Sequence, residues 1–168
     1  MYFFVNTTND FARQIPIFIR FVSDKVKELY LQSHNGKLCP ETEHSAGFDL
    51  KAILDDQVMI SPRQRVVIHT GICIQPKNNT VAGFVYSRSG LGSKHGIVVA
   101  QGVGVIDPDY TGEIVVPLLN TSEIAYIVKN GDRIAQLIFQ PFFVANFSIV
   151  QELNSTKRGE GGFGHSGI

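Results

Sequence analysis

The chain has no excess of charge of either sign: Lys+Arg and Asp+Glu both number 15 among 168 residues. No global field therefore draws it toward nucleic acid or a membrane surface, and any anionic ligand must be held by local groups. Cysteine is scarce. Cys39 and Cys73 stand alone, which excludes a CxxC metal or redox pair and a disulfide framework, and fits a reducing compartment. No apolar run approaches membrane-spanning length. Residues 2–5 are apolar but have no basic stretch before them, so a secretory signal is not expected and the cytoplasm is the expected location. The histidines, His34, His44, His69, His95 and His165, show no HExxH or other metal spacing, and neither GxxxxGK[ST] nor GxSxG occurs.

What the chain has in abundance is short β-rich runs, each closed by turn residues. They are IFIRFV at 17–22, FDLKAIL at 48–54, QRVVIHTGICI at 64–74, VAGFVYS at 81–87 and GIVVA at 96–100, followed by EIVVPLLN at 113–120, IAYIV at 124–128, RIAQLIFQPFF at 133–143 and FSIVQEL at 147–153. Strands at this spacing predict an all-β sandwich, jelly roll or barrel in one domain. Only residues 23–32 carry the pattern of a short helix. Residues 1–16 lack sustained periodicity and read as an N-terminal extension. The domain proper is expected over 17–153, with a mobile glycine-rich tail over 154–168.

Several segments can carry chemistry. In the tail, Gly159, Gly161 and Gly164 spell GxGxxG, but no strand-to-helix context follows, so a dinucleotide fingerprint is rejected. Backbone N–H groups of such a segment can still approach phosphate oxygens, and Arg158 and Phe163 add a cationic fork and an aromatic face. Tyr86 to Gly92 reads as a strand entering a glycine-punctuated loop, either an ordinary exposed turn or a phosphate cradle built on Arg88 and Ser89. Gln101 to Ile114 reads as a strand, a tight turn and a returning strand. Pro108 restricts Asp107 to extended backbone, so this carboxylate either stabilises its turn or serves as a general base toward water. Gln136 interrupts an apolar strand face, as a satisfied amide or a ligand contact. Asp49 sits among apolar neighbours and needs a partner, an ion or water.

Taken together, AGFDLKA at 46–52, SRSGLG at 87–92, GVIDPDYTGEI at 104–114, GDRIAQLI at 131–138 and RGEGGFGHSG at 158–167 resemble the trimeric dUTPase family, in its order and at its spacing. The resemblance spans residues 17–168. It implies a jelly-roll-like β-barrel that forms a homotrimer with active sites at subunit interfaces. It also implies a dUTP diphosphatase that hydrolyses dUTP to dUMP and pyrophosphate with Mg2+, supplying dUMP for thymidylate synthesis and keeping uracil out of DNA. By the same resemblance Asp107 is the general base, activating water for attack on the α-phosphorus. Uracil lies in a β-hairpin over 101–115, with Gln101, Gly104, Val105, Ile106 and Val115 as its contacts, and Tyr110 lies under the deoxyribose. Arg88, Ser89, Gly90 and Gln136 hold phosphates. Arg158, Phe163, Gly164 and Ser166 close over the nucleotide, and Asp49 reaches the metal through water. Ser87 stands where the family commonly has proline.

Two alternatives differ in the residues they require. A dCTP deaminase of the same fold would place a catalytic glutamate on the strand after the hairpin, where this chain has Pro117. A non-enzymatic binding protein on this fold would have no use for Asp107, Ser89, Arg158 and Phe163 together.

Overall fold

The computed structural model describes residues 15–32, 36–42 and 44–162. Among these residues the strands and short helices follow in the order β1 (Ile17–Phe21), α1 (Asp24–Leu31), β2 (Phe48–Lys51), β3 (Val58–Ile60), β4 (Arg65–Pro76), β5 (Val81–Ser87), α2 (Ser89–His95), β6 (Ile97–Val99), β7 (Gly104–Ile106), β8 (Glu113–Asn120), β9 (Tyr126–Val128) and β10 (Arg133–Pro141). One sheet has the order β1-β4-β8-β6, the second β2-β10-β5-β7, and β3 pairs with β9 in a small third sheet. Every ladder is antiparallel. Strands distant in sequence are neighbours in both large sheets, which is the jelly-roll-like arrangement expected.

The two large sheets face each other across a core that includes Leu50, Ile68, Ile72, Ile114, Val116, Leu118, Ile134 and Leu137. Each such side chain removed from water contributes roughly 1.5–3 kcal/mol. Asn120, fully buried, is satisfied on all sides: its Nδ2 donates to Ile60 O and Ile124 O, and its Oδ1 accepts from Ser122 N and Oγ. It thereby ties the end of β8 to β3.

Helix α1 starts where expected because Ser23 Oγ accepts from Val26 N at 3.3 Å, an N-cap. Its buried residues Val26 and Tyr30 lie four apart and so on one face. Burial holds the Tyr30 phenol well above the ordinary tyrosine range, so it keeps its proton and donates to Thr70 O at 2.9 Å. Beside it, β4 bulges between His69 and Cys73, with Gly71 at φ +70°. A Cβ at Gly71 would meet Val26 Cγ1 at 2.6 Å. Gly71→Ala is therefore expected to lower stability by about 1–3 kcal/mol, read as a lower urea midpoint at unchanged slope. A wild-type midpoint would mean the bulge relaxes freely.

Three sequence expectations are corrected. SRSGLG is not a loop throughout: residues 89–95 form α2, which packs Leu91 against the core and ends at Gly96 in the left-handed region. His95 accordingly lies on this helix, its ring 5.0 Å from that of Tyr126. The segment over 101–115 is not a paired hairpin, because β7 joins β5 while β8 joins β4 and β6; the turn between them carries the chain from one sheet to the other. FSIVQEL is not a strand. No partner strand among the described residues reaches it, and Phe147, Ile149 and Leu153 are exposed.

Candidate functional site

Asp49 and Gln136 are cross-strand neighbours on β2 and β10, and Arg88 leaves the end of β5 just before α2. Asp49 Oδ1 accepts from Arg88 Nε at 2.9 Å, and Asp49 Oδ2 accepts from Arg133 Nη1 at 3.3 Å. Arg88 Nη1 donates to Arg133 O at 3.1 Å. These bonds fix the plane of the guanidinium, while Arg88 Nη2 makes no hydrogen bond among the described residues and is available to an anion. Burial, and then the nearby charge of Arg133, pushes the Lys51 ammonium below the ordinary lysine range.

Gln136 is oriented as firmly. Its Nε2 donates to Ser87 O at 3.0 Å, and a Cβ at Gly47 would meet its Oε1 at 2.7 Å, so only glycine leaves the amide where it is. Ser87 in turn accepts through Oγ from Val99 N at 2.8 Å, a bond that proline could not make. Arg88, Ser89, Gly90, Gln136, Asp49 and Gly47 share the lining of one cavity of about 260 Å³ with Glu41, Ser45 and Ala46. Ser89 and Gly90 open α2, and the first N–H groups of a helix have no intrahelical partner. The cavity thus offers a fixed cation, free backbone donors and an amide, a combination suited to phosphate oxygens.

A second group sits elsewhere. Among the described residues β7 is bonded on one side only, to β5, so there Gly104, Val105 and Ile106 present an open strand edge that can pair with a planar hydrogen-bonding ligand. A Cβ on Gly104 would lie 3.2 Å from Gln101 Nε2, so the Gln101 amide rests over this edge. Asp107 follows directly. It is exposed, its carbonyl accepts from Tyr110 N at 3.1 Å, and among the described residues its carboxylate has no hydrogen bond or ion pair. Tyr110 folds back over Gly112 and donates from its hydroxyl to Glu113 O at 2.9 Å. Val115, on the outer face of β8, lies across from His69 and is exposed.

One chain does not bring the two groups together. Gly83 is opposite Ile106, so Asp107 lies near the level of Ala82. Arg88 is six residues further along, about 20 Å at strand rise. Arg158 stands apart from both, exposed in a turn where its Nε donates to Gly161 O at 2.8 Å. Phe163, Gly164 and Ser166 lie outside the described residues. Among the described residues no three His, Cys, Asp or Glu side chains gather as a metal-binding group.

A model of the dUTPase family matches residues 35–167. The chain belongs to the dUTPase family. It is 45% identical over 148 residues to the deoxyuridine 5'-triphosphate nucleotidohydrolase of Desulfitobacterium hafniense, covering 87% of this chain and 98% of that one. Its fold matches that of the Staphylococcus bacteriophage 80alpha dUTPase bound to dUpNHpp, with a TM-score of 0.74, 24% identity, and 91% of this chain and 99% of the other covered. It also matches the dUTPase from phage phi11 of S. aureus, which coordinates a structural Mg(II) ion, at a TM-score of 0.66 and 21% identity over 83% of this chain and 99% of that one.

Sequence reading left out Arg133, Glu41, Ser45 and Gly47. The demand that Asp49 find a partner, an ion or water is met by two guanidinium groups. Arg88 and Arg133 lie 39 and 84 residues from it in sequence, so the sequence alone could not choose between them and other basic residues.

Proposed function

We propose that this dUTPase-family chain hydrolyses dUTP to dUMP and pyrophosphate, with the phosphates held at Arg88, Ser89, Gly90 and Gln136 and with Asp107 as general base. The observation that carries the reading is the Arg88 guanidinium, oriented by Asp49 at 2.9 Å in a cavity that also holds Gln136. Uracil pairs with the open β7 edge at Gly104, Val105 and Ile106, flanked by Gln101 and Val115. Backbone donors and acceptors there tell uracil from cytosine, because a mispaired buried polar group costs about 1–3 kcal/mol. Tyr110 lies under the deoxyribose, where a 2′-hydroxyl would clash.

Asp107 takes a proton from water as the water oxygen bonds to the α-phosphorus. The bond from that phosphorus to the bridging oxygen breaks, and pyrophosphate leaves. Both Asp49 oxygens are engaged by guanidinium groups, so a hydrated Mg2+ brought with the substrate phosphates would meet Asp49 only through water. The ion would offset the charge that builds on the phosphate oxygens.

The separation of Asp107 and Arg88 along β5 and β7 supports a homotrimer with shared sites. Residues 142–162 support it: they form no strand, and Phe143, Phe147 and Ile149 are 99%, 90% and 102% exposed. Such apolar side chains are suited to cover by a second subunit. Residues 154–168 then act as a tail that carries Arg158, Phe163, Gly164 and Ser166 to another subunit's site, with residues 17–153 as the barrel domain and 1–16 as an extension. No helix among the described residues is long and apolar enough to cross a membrane. Free thiols at Cys39 and Cys73 suit a reducing compartment such as the cytoplasm.

Pyrophosphate release across nucleoside triphosphates tests the reading. dUTP turnover should depend on Mg2+, with dCTP, dTTP and UTP poor substrates, and reaction in isotopically heavy water should label dUMP. Comparable turnover of dCTP or UTP, or label in pyrophosphate, contradicts it.

A further inference from the structure

The β4–β8 ladder is interrupted at the bulge between His69 and Cys73, and side-chain bonds take its place there. They converge on two residues that immediately follow the Asp107 turn. Glu113 Oε1 accepts from Gly71 N at 2.8 Å, and its Oε2 lies 2.9 Å from His69 Nδ1. An ionised carboxylate only accepts, so the imidazole donates. The next residue is gripped from the same bulge: Thr70 Oγ1 donates to Ile114 O at 2.6 Å. Thr70 O in turn accepts from the buried Tyr30 hydroxyl, so the bulge is itself anchored to α1.

The Glu113 backbone held in this way is the one that receives Tyr110. The Tyr110 hydroxyl donates to Glu113 O at 2.9 Å, and the ring lies so close over Gly112 that a Cβ there would meet the phenol oxygen at 2.5 Å. The contacts form one sequence from the Gly71 bulge to the Glu113 carboxylate, then to the Glu113 carbonyl and the Tyr110 ring. An exposed ring at a turn would otherwise sample several rotamers, and a steric filter works only if its wall stays in place.

We propose that Glu113 is a specificity-determining positioning residue: pinned by Gly71 and His69 of the β4 bulge, it holds Tyr110 where that ring excludes a 2′-hydroxyl. The inference rests on the reading of the chain as a dUTP hydrolase. Glu113 does not touch the nucleotide; it acts through Tyr110.

The test compares kcat/KM for dUTP and UTP in the full-length protein and its variants. Glu113→Ala should reduce discrimination against UTP about tenfold, mostly through a lower KM for UTP and a higher KM for dUTP. Glu113→Gln, which still accepts from Gly71 N, should restore most of it. His69→Ala removes one of the two bonds from a largely exposed ring and should shift the ratio the same way by about threefold; it serves if Glu113→Ala fails to fold. Tyr110→Phe removes the hydroxyl bond, and adding Glu113→Ala to it should cost no further discrimination. A merely structural Glu113 would lower the urea midpoint without moving the ratio. An active wild type whose Glu113→Ala and His69→Ala variants keep full discrimination overturns the inference alone. A wild type that leaves dUTP intact removes the activity reading and the inference with it.

Discussion

Asp107→Asn is expected to lower kcat on dUTP by about 10²–10⁴-fold, the range for a removed general base, while nucleotide affinity and stability stay near wild type. Asparagine keeps the shape and hydrogen-bonding reach of the side chain but cannot take a proton. The Asp107 carboxylate is exposed and has no hydrogen bond or ion pair among the described residues, so its loss leaves no buried partner unsatisfied. A turn-stabilising aspartate would behave in the opposite way, with activity retained and the unfolding midpoint lowered. Steady-state kinetics with a nucleotide titration and a urea curve on the same preparation separate the two roles.

Deleting residues 158–168 should leave a folded protein whose kcat/KM on dUTP falls by at least about 10²-fold if, as proposed, Arg158 and the segment after it cover the phosphates. Recombination of subunits is the sharper measurement. Asp107 and the phosphate cavity are about 20 Å apart along one chain by strand rise, and the proposed site therefore draws on more than one subunit. Trimers refolded from a mixture of Asp107→Asn subunits and tail-deleted subunits should contain sites that combine an intact Asp107 from one chain with an intact tail from another. Those sites regain activity that neither parent has. Mixed trimers that form, yet show only the sum of the parental activities, would place the tail and Asp107 in the same subunit's site.

Hydrophobic patterning was legible for most of the strands that bury side chains within the chain, although β3 with its buried Ile60 was not among the runs read. VAGFVYS and EIVVPLLN coincide with β5 and β8, and the helical pattern over 23–32 coincides with α1. Alternation misled at FSIVQEL, which has the pattern of a strand but no hydrogen-bonded neighbour among the described residues. Helix α2 was illegible for a different reason. Gly90 and Gly92 each disfavour helix by close to 1 kcal/mol, and it is packing of Leu91 on the core that offsets this.

By itself the sequence determined the fold class, the order of the motifs and the residue types able to bind phosphate or accept a proton, because these follow from local periodicity and side-chain chemistry. Only the tertiary structure decided that Asp49 is engaged by Arg88 and Arg133, that Gln136 is wedged by Gly47, that β7 keeps an open edge instead of pairing with β8, and that Glu113 answers the β4 bulge. Each of these joins residues far apart in the chain through strand register, and register is set by how the two sheets share one core.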